Sequence, residues 1–461
     1  MTGMLNDAAL LVALLRDPAR AGAVTAEQWT GVLAMARAEA LAGTLAVRVA
    51  DVRMPEGVAA SLADHRASAE EGRRVALWEA EMCRRALAPL GIATVLLKGT
   101  AYAAAGLAAA QGRQIGDLDI LVPRDRLAEA EKALLAAGWE WVKEDGYDDA
   151  YYRQWMHELP PMIHATRDRM IDVHHTILPL TARVTPDAAG MLAEVEGVGD
   201  VAYGIYPRGT GKRNDLPSRV REGSGVGLTS TETAGGSFAD AGQKMRQEEH
   251  FAQQTLPPLT PPASGRGTGS ATSTPLPLAG GAGGGPVDGP AFRNRPSPDP
   301  SHKWEGRLDT READLGGYSL HILSPNDRIC HAAAHLLADG DLQGGLRNLW
   351  DIHCLISELP DAPHIFSTLE ARAAHHGLAA PLRRAARLAA HLYGTVIPPG
   401  WRPLDRFDRA LLRRLLARNG WGQEKRKFLR LGFYIRSHWL RMPPLMLARH
   451  LWTKWRKGAA Q

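Results

Sequence analysis

Asp117 and Asp119 stand one residue apart in "IGDLDILV", an otherwise apolar run. In a strand, alternate side chains share a face, so both carboxylates project on one side while Leu118 and Ile120 pack on the other. Two ionised carboxylates this close repel each other, and beside a core they stay charged most readily with a cation between them. Mg²⁺ or Mn²⁺ meets that demand with oxygen ligands; a solvent-exposed strand end or an arginine partner would also account for the pair. Asp172 in "MIDVHHTI" offers a third carboxylate from a second strand, where alternation puts Met170, Asp172 and His174 on one face. Lys98 and Gly99 end an earlier apolar run, a place where a cation and bare backbone can meet phosphate oxygens. Arg113, just upstream of the paired aspartates, suits a bidentate phosphate contact.

Histidines accompany these residues. His157, His164, His174 and His175 lie around the presumed site, and His174, on the Asp172 face, is a candidate ligand, acid/base group or orienter of a carboxylate. His331 and His335 are one helical turn apart but lack the third ligand of a zinc-protease helix, which points to packing. Arg347 and Asp351, also one turn apart, read as an intrahelical pair. Cys83, Cys330 and Cys354 are too dispersed for a disulfide framework or a metal motif and read as small buried thiols.

The elements that must position these groups follow from periodicity. Residues 1–90 are Ala-, Leu- and Arg-rich, with Leu33, Ala36, Leu41 and Leu45 at helical spacing and breaks at Pro18 and Pro55. Residues 91–205 alternate in texture: "IATVLL" as a strand, "TAYAAAGLAAA" as a helix, "DLDILV" as a strand, "RDRLAEAEKALLAAG" as a helix closed by Gly138, and "WEWVKE" as a third strand. Two more strands flank a turn at Thr166 to Arg169. Residues 206–311, with "PPLTPPASGRGTGS" and "PLPLAGGAGGG", carry few large aliphatic residues and no period, so disorder is expected. Their residue types are those of a translated GC-rich inverted repeat, a reading that the gene's own bases would test; a basic tether for nucleic acid is the functional alternative. Residues 312–461 return to helix after "GGYSLHILSPNDR", with Ser324 as N-cap and Pro325 in the first turn. With the insert excised, "VAYGIY" runs almost directly into "GGYSLHIL".

The 461 residues suffice for a sizeable core, and a net charge of +5 allows an anionic partner without choosing one. The start lacks a basic signal-peptide region, and no run reaches the roughly 18 to 20 apolar residues of a membrane span, so a cytoplasmic protein is expected. The C-terminal "EKRKFLRLGFYIRSHWLRMPPLMLARHLWTKWRKGAAQ" mixes Lys and Arg with Phe428, Trp439, Trp452 and Trp455. Such a pattern suits an anionic membrane surface or nucleic acid; a core-packed helix with a basic outer face is the other reading.

The ordered set "LLKGTAYAAAGL…GRQIGDLDILVPRDRLAEAEKALLAAGWE", "MIDVHHTI" and "LSPNDRICHAAAHLL…LRNLWDIHCLI" resembles the bacterial uncharacterised nucleotidyltransferase family, part of the polymerase-beta-like nucleotidyltransferase superfamily. The resemblance implies an α+β fold: a small mixed-sheet core between N- and C-terminal helical regions. It also implies that Asp117, Asp119 and Asp172 bind two Mg²⁺ or Mn²⁺ ions and that Gly99 faces a triphosphate. The superfamily's Gly-Ser is Gly99-Thr100 here, preceded by Lys98, and Thr100 keeps a hydroxyl to donate; the interval from Gly99 to Asp117 is longer than the standard one. The implied reaction moves a nucleotidyl group from a nucleoside triphosphate to an acceptor hydroxyl of a small molecule, peptide, protein or RNA, with Asp172 assisting deprotonation. Asp117→Ala or Asp119→Ala is then expected to abolish turnover without unfolding the chain. A nucleotide- or partner-binding protein of the same fold without turnover is the rival reading.

Overall fold

The sequence ahead of residue 90 forms helices at the expected places: α1 (Asp7–Arg16), α2 (Ala26–Ala38), α3 (Ala42–Arg48) and the long α4 (Glu56–Leu87). They belong to a computed structural model that describes residues 7–143, 146–198, 320–338, 342, 344–418, 423 and 427–441. Pro18 opens a short 3-10 turn and Pro55 immediately precedes α4, positions where a missing N–H leaves no helical bond unmade. A capping box starts α2: the Gln28 N–H donates to the Thr25 hydroxyl, and the Thr25 N–H donates to the Gln28 side chain. The apolar faces bury Leu11, Leu15, Trp29, Met35 and Leu45 completely. Each such side chain stabilises the fold by about 1.5–3 kcal/mol relative to exposure.

Among the described residues one mixed sheet has the strand order β3-β4-β5-β2-β1-β7-β6. Its strands are β1 (Val95–Leu96), β2 (Asp117–Leu121), β3 (Trp139–Trp141), β4 (Met162–His164), β5 (Met170–His174), β6 (Glu196–Val198) and β7 (Leu320–Ile322). β2 runs parallel to β5 and antiparallel to β1, while β1 runs parallel to β7. Between the strands lie α5 (Lys98–Ala104), α6 (Leu127–Ala136), α7 (Gly146–Trp155) and α8 (Ala188–Ala193). The chain is therefore a mixed α+β protein whose small sheet is flanked by helices.

Local differences from the expected elements have local causes. The helix expected over "TAYAAAGLAAA" starts earlier, at Lys98, and stops before Gly106, whose φ of +67° ends it; a separate 3-10 turn covers Ala108–Ala110. α7 forms from "GYDDAYYRQW", too polar to show an apolar face in the sequence. Leu320–Ile322, at the head of the region expected to be helical, is a strand beside β1, and its other edge pairs with β6 so that Val198 faces Leu320.

After β7 come α9 (Pro325–Ala338), α10 (Gly345–Ser357), α11 (Ile365–His375), α12 (Ala379–Tyr393), α13 (Arg406–Leu415) and α14 (Lys427–Arg441). Ser324 caps α9 as its sequence position suggests, accepting the Asp327 N–H at 3.3 Å. α14 is the described part of the basic C-terminal stretch: Phe433 is buried, whereas Phe428, Ile435 and Trp439 are exposed. The rest of that stretch, and the low-complexity segment 206–311, lie outside the described residues. Among the described residues no helix is long and apolar enough to cross a membrane, and Cys83, Cys330 and Cys354 are buried free thiols.

Candidate active site

The β2/β5 register brings three carboxylates together. Parallel pairing sets Asp119 beside Asp172 and Leu121 beside His174, so alternation gathers Asp117, Asp119, Asp172 and His174 on one face. Leu118, Ile120, Ile171 and Val173 are buried on the other. One oxygen from each of Asp117, Asp119 and Asp172 lies within 4.8 Å of the other two. Ligand oxygens around a hard divalent ion at 2.0–2.6 Å are about 3–5 Å apart, so the donor set fits such an ion.

Lys98 shares this site. Its φ of +46° is uncommon for a residue with a side chain, and its Nζ donates to Asp119 Oδ1 at 2.8 Å. Burial works against the ammonium charge, but the fields of Asp119, Asp117 and Asp172 outweigh it and hold its pKa above that of an ordinary lysine. Asp119, 4% exposed, would be pushed up by burial alone; Lys98 and His174 reverse the sign and keep it ionised far into acid. His174 Nε2 lies 3.2 Å from the same Oδ1, and burial lowers the histidine's pKa. His331 on α9 is also buried, which favours its neutral form, and it lies within the field of Lys98.

The expected phosphate contacts are arranged differently. Gly99 lies inside the first turn of α5, where an added Cβ would stand 2.7 Å from Arg113 Nε; its missing side chain makes room for that arginine. Arg113 in turn is ion-paired with Asp351 of α10 and lies over the Tyr102 ring at 5.6 Å. Arg113 is thus a strut between the sheet and the C-terminal helices, and Gly99 is packed beneath it. The Thr100 hydroxyl is buried and has no hydrogen-bond partner among the described residues. Asp351 also meets Arg347 at 3.5 Å, the pair expected along the helix, and Arg347 donates to the Ala40 carbonyl at 2.7 Å.

Of the four histidines, the fold brings His157 and His174 together, with ring centroids 5.1 Å apart. His164 packs edge-on against Trp139 instead, and His175, one residue past the end of β5, is buried outside the group. Asp119 is the partner of both the Lys98 ammonium and His174, so Asp119→Ala is expected to cost stability as well as turnover, whereas Asp117 is only half-buried. Two neighbours are not evident in the sequence: Glu158, whose Oε2 is 3.4 Å from His174 Nε2, and Tyr152 of α7, whose phenol is pushed up by burial and by Glu158 and Asp172. An acid directly before Leu159 and two prolines, in a segment with no strand period of its own, was the available hint of Glu158.

A strand pair carrying Asp-x-Asp and a third Asp beside a strand-to-helix turn is the arrangement that the resemblance to nucleotidyltransferases implies. The family model described as uncharacterised nucleotidyltransferase matches residues 25–203 and 292–394, more than half of the chain, and the chain belongs to that family. No curated protein and no solved structure matches it.

Proposed function

We propose that this protein transfers a nucleoside monophosphate from a nucleoside triphosphate to an acceptor hydroxyl, releasing pyrophosphate. The observation that carries the reading is the convergence of Asp117, Asp119 and Asp172 from two registered strands. Asp117, Asp119 and Asp172 would hold divalent Mg²⁺ or Mn²⁺, which would supply charge neutralisation for the triphosphate and acidify the acceptor hydroxyl. Asp172 accepts the acceptor's proton as its oxygen bonds to the α-phosphorus, and the bond from that phosphorus to the pyrophosphate oxygen breaks. Lys98 Nζ, at 2.8 Å from Asp119 Oδ1, is the cation placed to meet a triphosphate oxygen beside the carboxylates. His174 Nε2 orients Asp119, and Thr100 contributes a hydroxyl at the turn. Arg113 and Gly99 act as positioning residues by fixing α5 against Asp351.

Calorimetric titration of each nucleoside triphosphate, with and without Mg²⁺, into wild type and Asp117→Asn/Asp172→Asn tests this. Metal-dependent binding that the double variant loses, with pyrophosphate release once an acceptor is supplied, is the expected result. Binding that ignores Mg²⁺ and both substitutions would refute the assignment of the carboxylates, and metal-dependent binding with no turnover on any acceptor class would favour the non-catalytic reading.

A further inference from the structure

Beside the three aspartates stands a second group of donors, two of which, His157 and Glu158, have no part in the nucleotidyl reaction, while the third, His174, borders both. Residues 157–159 have no strand of their own, yet they are fixed against the end of β5: Leu159 N–H donates to Val173 O at 2.9 Å, His175 N–H donates to His157 O at 2.9 Å, and Glu158 bridges His174 across the pair. Directly opposed antiparallel residues hold their side chains close on one face. That backbone lock converges one donor atom each from His157, Glu158 and His174 to within 4.8 Å of one another. Glu158 Oε2 is 3.4 Å from His174 Nε2 and 3.7 Å from His157 Nε2.

We infer that His157, Glu158 and His174 form a separate binding site for a borderline divalent ion, Zn²⁺ above all, next to the carboxylate site. Ligand atoms about 2.0–2.1 Å from a tetrahedral Zn²⁺ stand about 3.3–3.4 Å from each other, so the two measured edges need closing by a few tenths of an ångström at most. Two imidazoles and one carboxylate are a donor set that favours Zn²⁺ over Mg²⁺. Three protein ligands leave a fourth position for water or an acceptor heteroatom. Without an ion, Nε2–H faces Asp119 Oδ1; with Zn²⁺ bound the ring proton would stand on Nδ1, which is buried and without a hydrogen-bond partner among the described residues, and the Nε2 lone pair would face the ion in place of that hydrogen bond. Asp119 Oδ1, 3.2 Å from the same Nε2, then bounds the two sites.

The test is Zn²⁺ stoichiometry by equilibrium dialysis, with Co²⁺ as a coloured substitute, on wild type, Asp117→Asn/Asp172→Asn and His157→Ala/Glu158→Gln. The triad variant is expected to keep one tightly bound Zn²⁺ and the visible absorption of tetrahedral Co²⁺ while losing Mg²⁺ binding. The His157/Glu158 variant is expected to lose both Zn²⁺ and the Co²⁺ absorption, by more than the roughly 10- to 100-fold that loss of an outer-shell partner causes, while still binding Mg²⁺. Zn²⁺ binding unchanged in the His157/Glu158 variant, or absent from wild type, would overturn the site. Should the double variant not fold, His157→Gln alone is expected to weaken Zn²⁺ at least about tenfold, and unchanged affinity there would equally overturn it. Because the two variants act on different ions, failure of this site and failure of the nucleotidyl-transfer reading give different results.

Discussion

Replacing Lys98 with Met separates two roles of one ammonium group. In the absence of metal, Nζ is 2.8 Å from Asp119 Oδ1, and the two side chains are 25% and 5% exposed. A hydrogen bond between charged groups contributes about 1.5–3 kcal/mol, and the partial exposure of Lys98 puts this one near 2 kcal/mol. Lys98→Met should therefore lose about 2 kcal/mol of metal-free stability. The same contact must be given up by wild type when a divalent ion takes Asp119, so its removal should tighten Mg²⁺ by up to about 30-fold, at 1.4 kcal/mol per tenfold. Triphosphate binding with Mg²⁺ present should move the other way, since the displaced ammonium is no longer there to meet a phosphate oxygen. Denaturant melts in chelator and Mg²⁺ calorimetry on metal-stripped protein read the first two effects; Mg²⁺ suits carboxylate rather than imidazole donors, so the histidine group adds little. Lost stability with unchanged Mg²⁺ affinity would refute the idea that Lys98 and a divalent ion compete for one place.

Three further outcomes are expected. Gly112→Ala should cost at least about 2 kcal/mol in denaturant unfolding, because φ is +65° and a Cβ would stand 2.2 Å from the Gly43 carbonyl oxygen, a backbone atom that cannot swing aside. Asp327 is fully buried against Arg372 and His376; burial alone would raise its pKa, but those partners hold it at about 2. With an unfolded-state pKa near 3.9, it contributes about 2 kcal/mol above roughly pH 4 that is lost as pH falls toward 2. Urea melts of Asp327→Asn should lack that part of the acid dependence, besides being less stable at neutral pH. Finally, since Val198 directly faces Leu320 across β6 and β7, a chain with Asn-Gly in place of residues 199–319 should close a two-residue hairpin and keep its circular dichroism and Mg²⁺ affinity; an unfolded product would count against that pairing.

Period-two alternation is enough to put Asp117 with Asp119 and Asp172 with His174, because one face of each strand is apolar and a one-residue slip would turn the acids onto that face. It says nothing of which strand lies beside which, so the pairing of Asp119 with Asp172 awaited the fold. Arg113 illustrates the limit: its position before the aspartates suggests a phosphate ligand, but its partner is Asp351, from a helix beyond the interrupting segment. Such a contact has no local signature. Glu158 was hidden for a similar reason, since its segment borrows its geometry from β5 through an isolated bridge. Lys98 was visible as a cation at a turn, whereas its hold on Asp119 depends on a positive φ that residue type does not announce.

The position of β1 explains why both matched parts of the chain belong to one functional unit. β1 is two residues long and lies between β2, which carries Asp117 and Asp119, and β7, which follows the interruption. Its backbone is held from both sides: Leu97 N–H donates to Asp119 O and His321 N–H donates to Thr94 O, each at 2.9 Å. Without β7, so short a strand would be an edge held on one side, and the turn that aims Lys98 at Asp119 follows directly from it. Arg113 adds a second tie, from the loop before β2 to α10. The carboxylates come from the part before the interruption, but the part after it braces the strand and turn that bring the lysine to them, so loss of the second part should weaken the site even though no aspartate of the triad is removed.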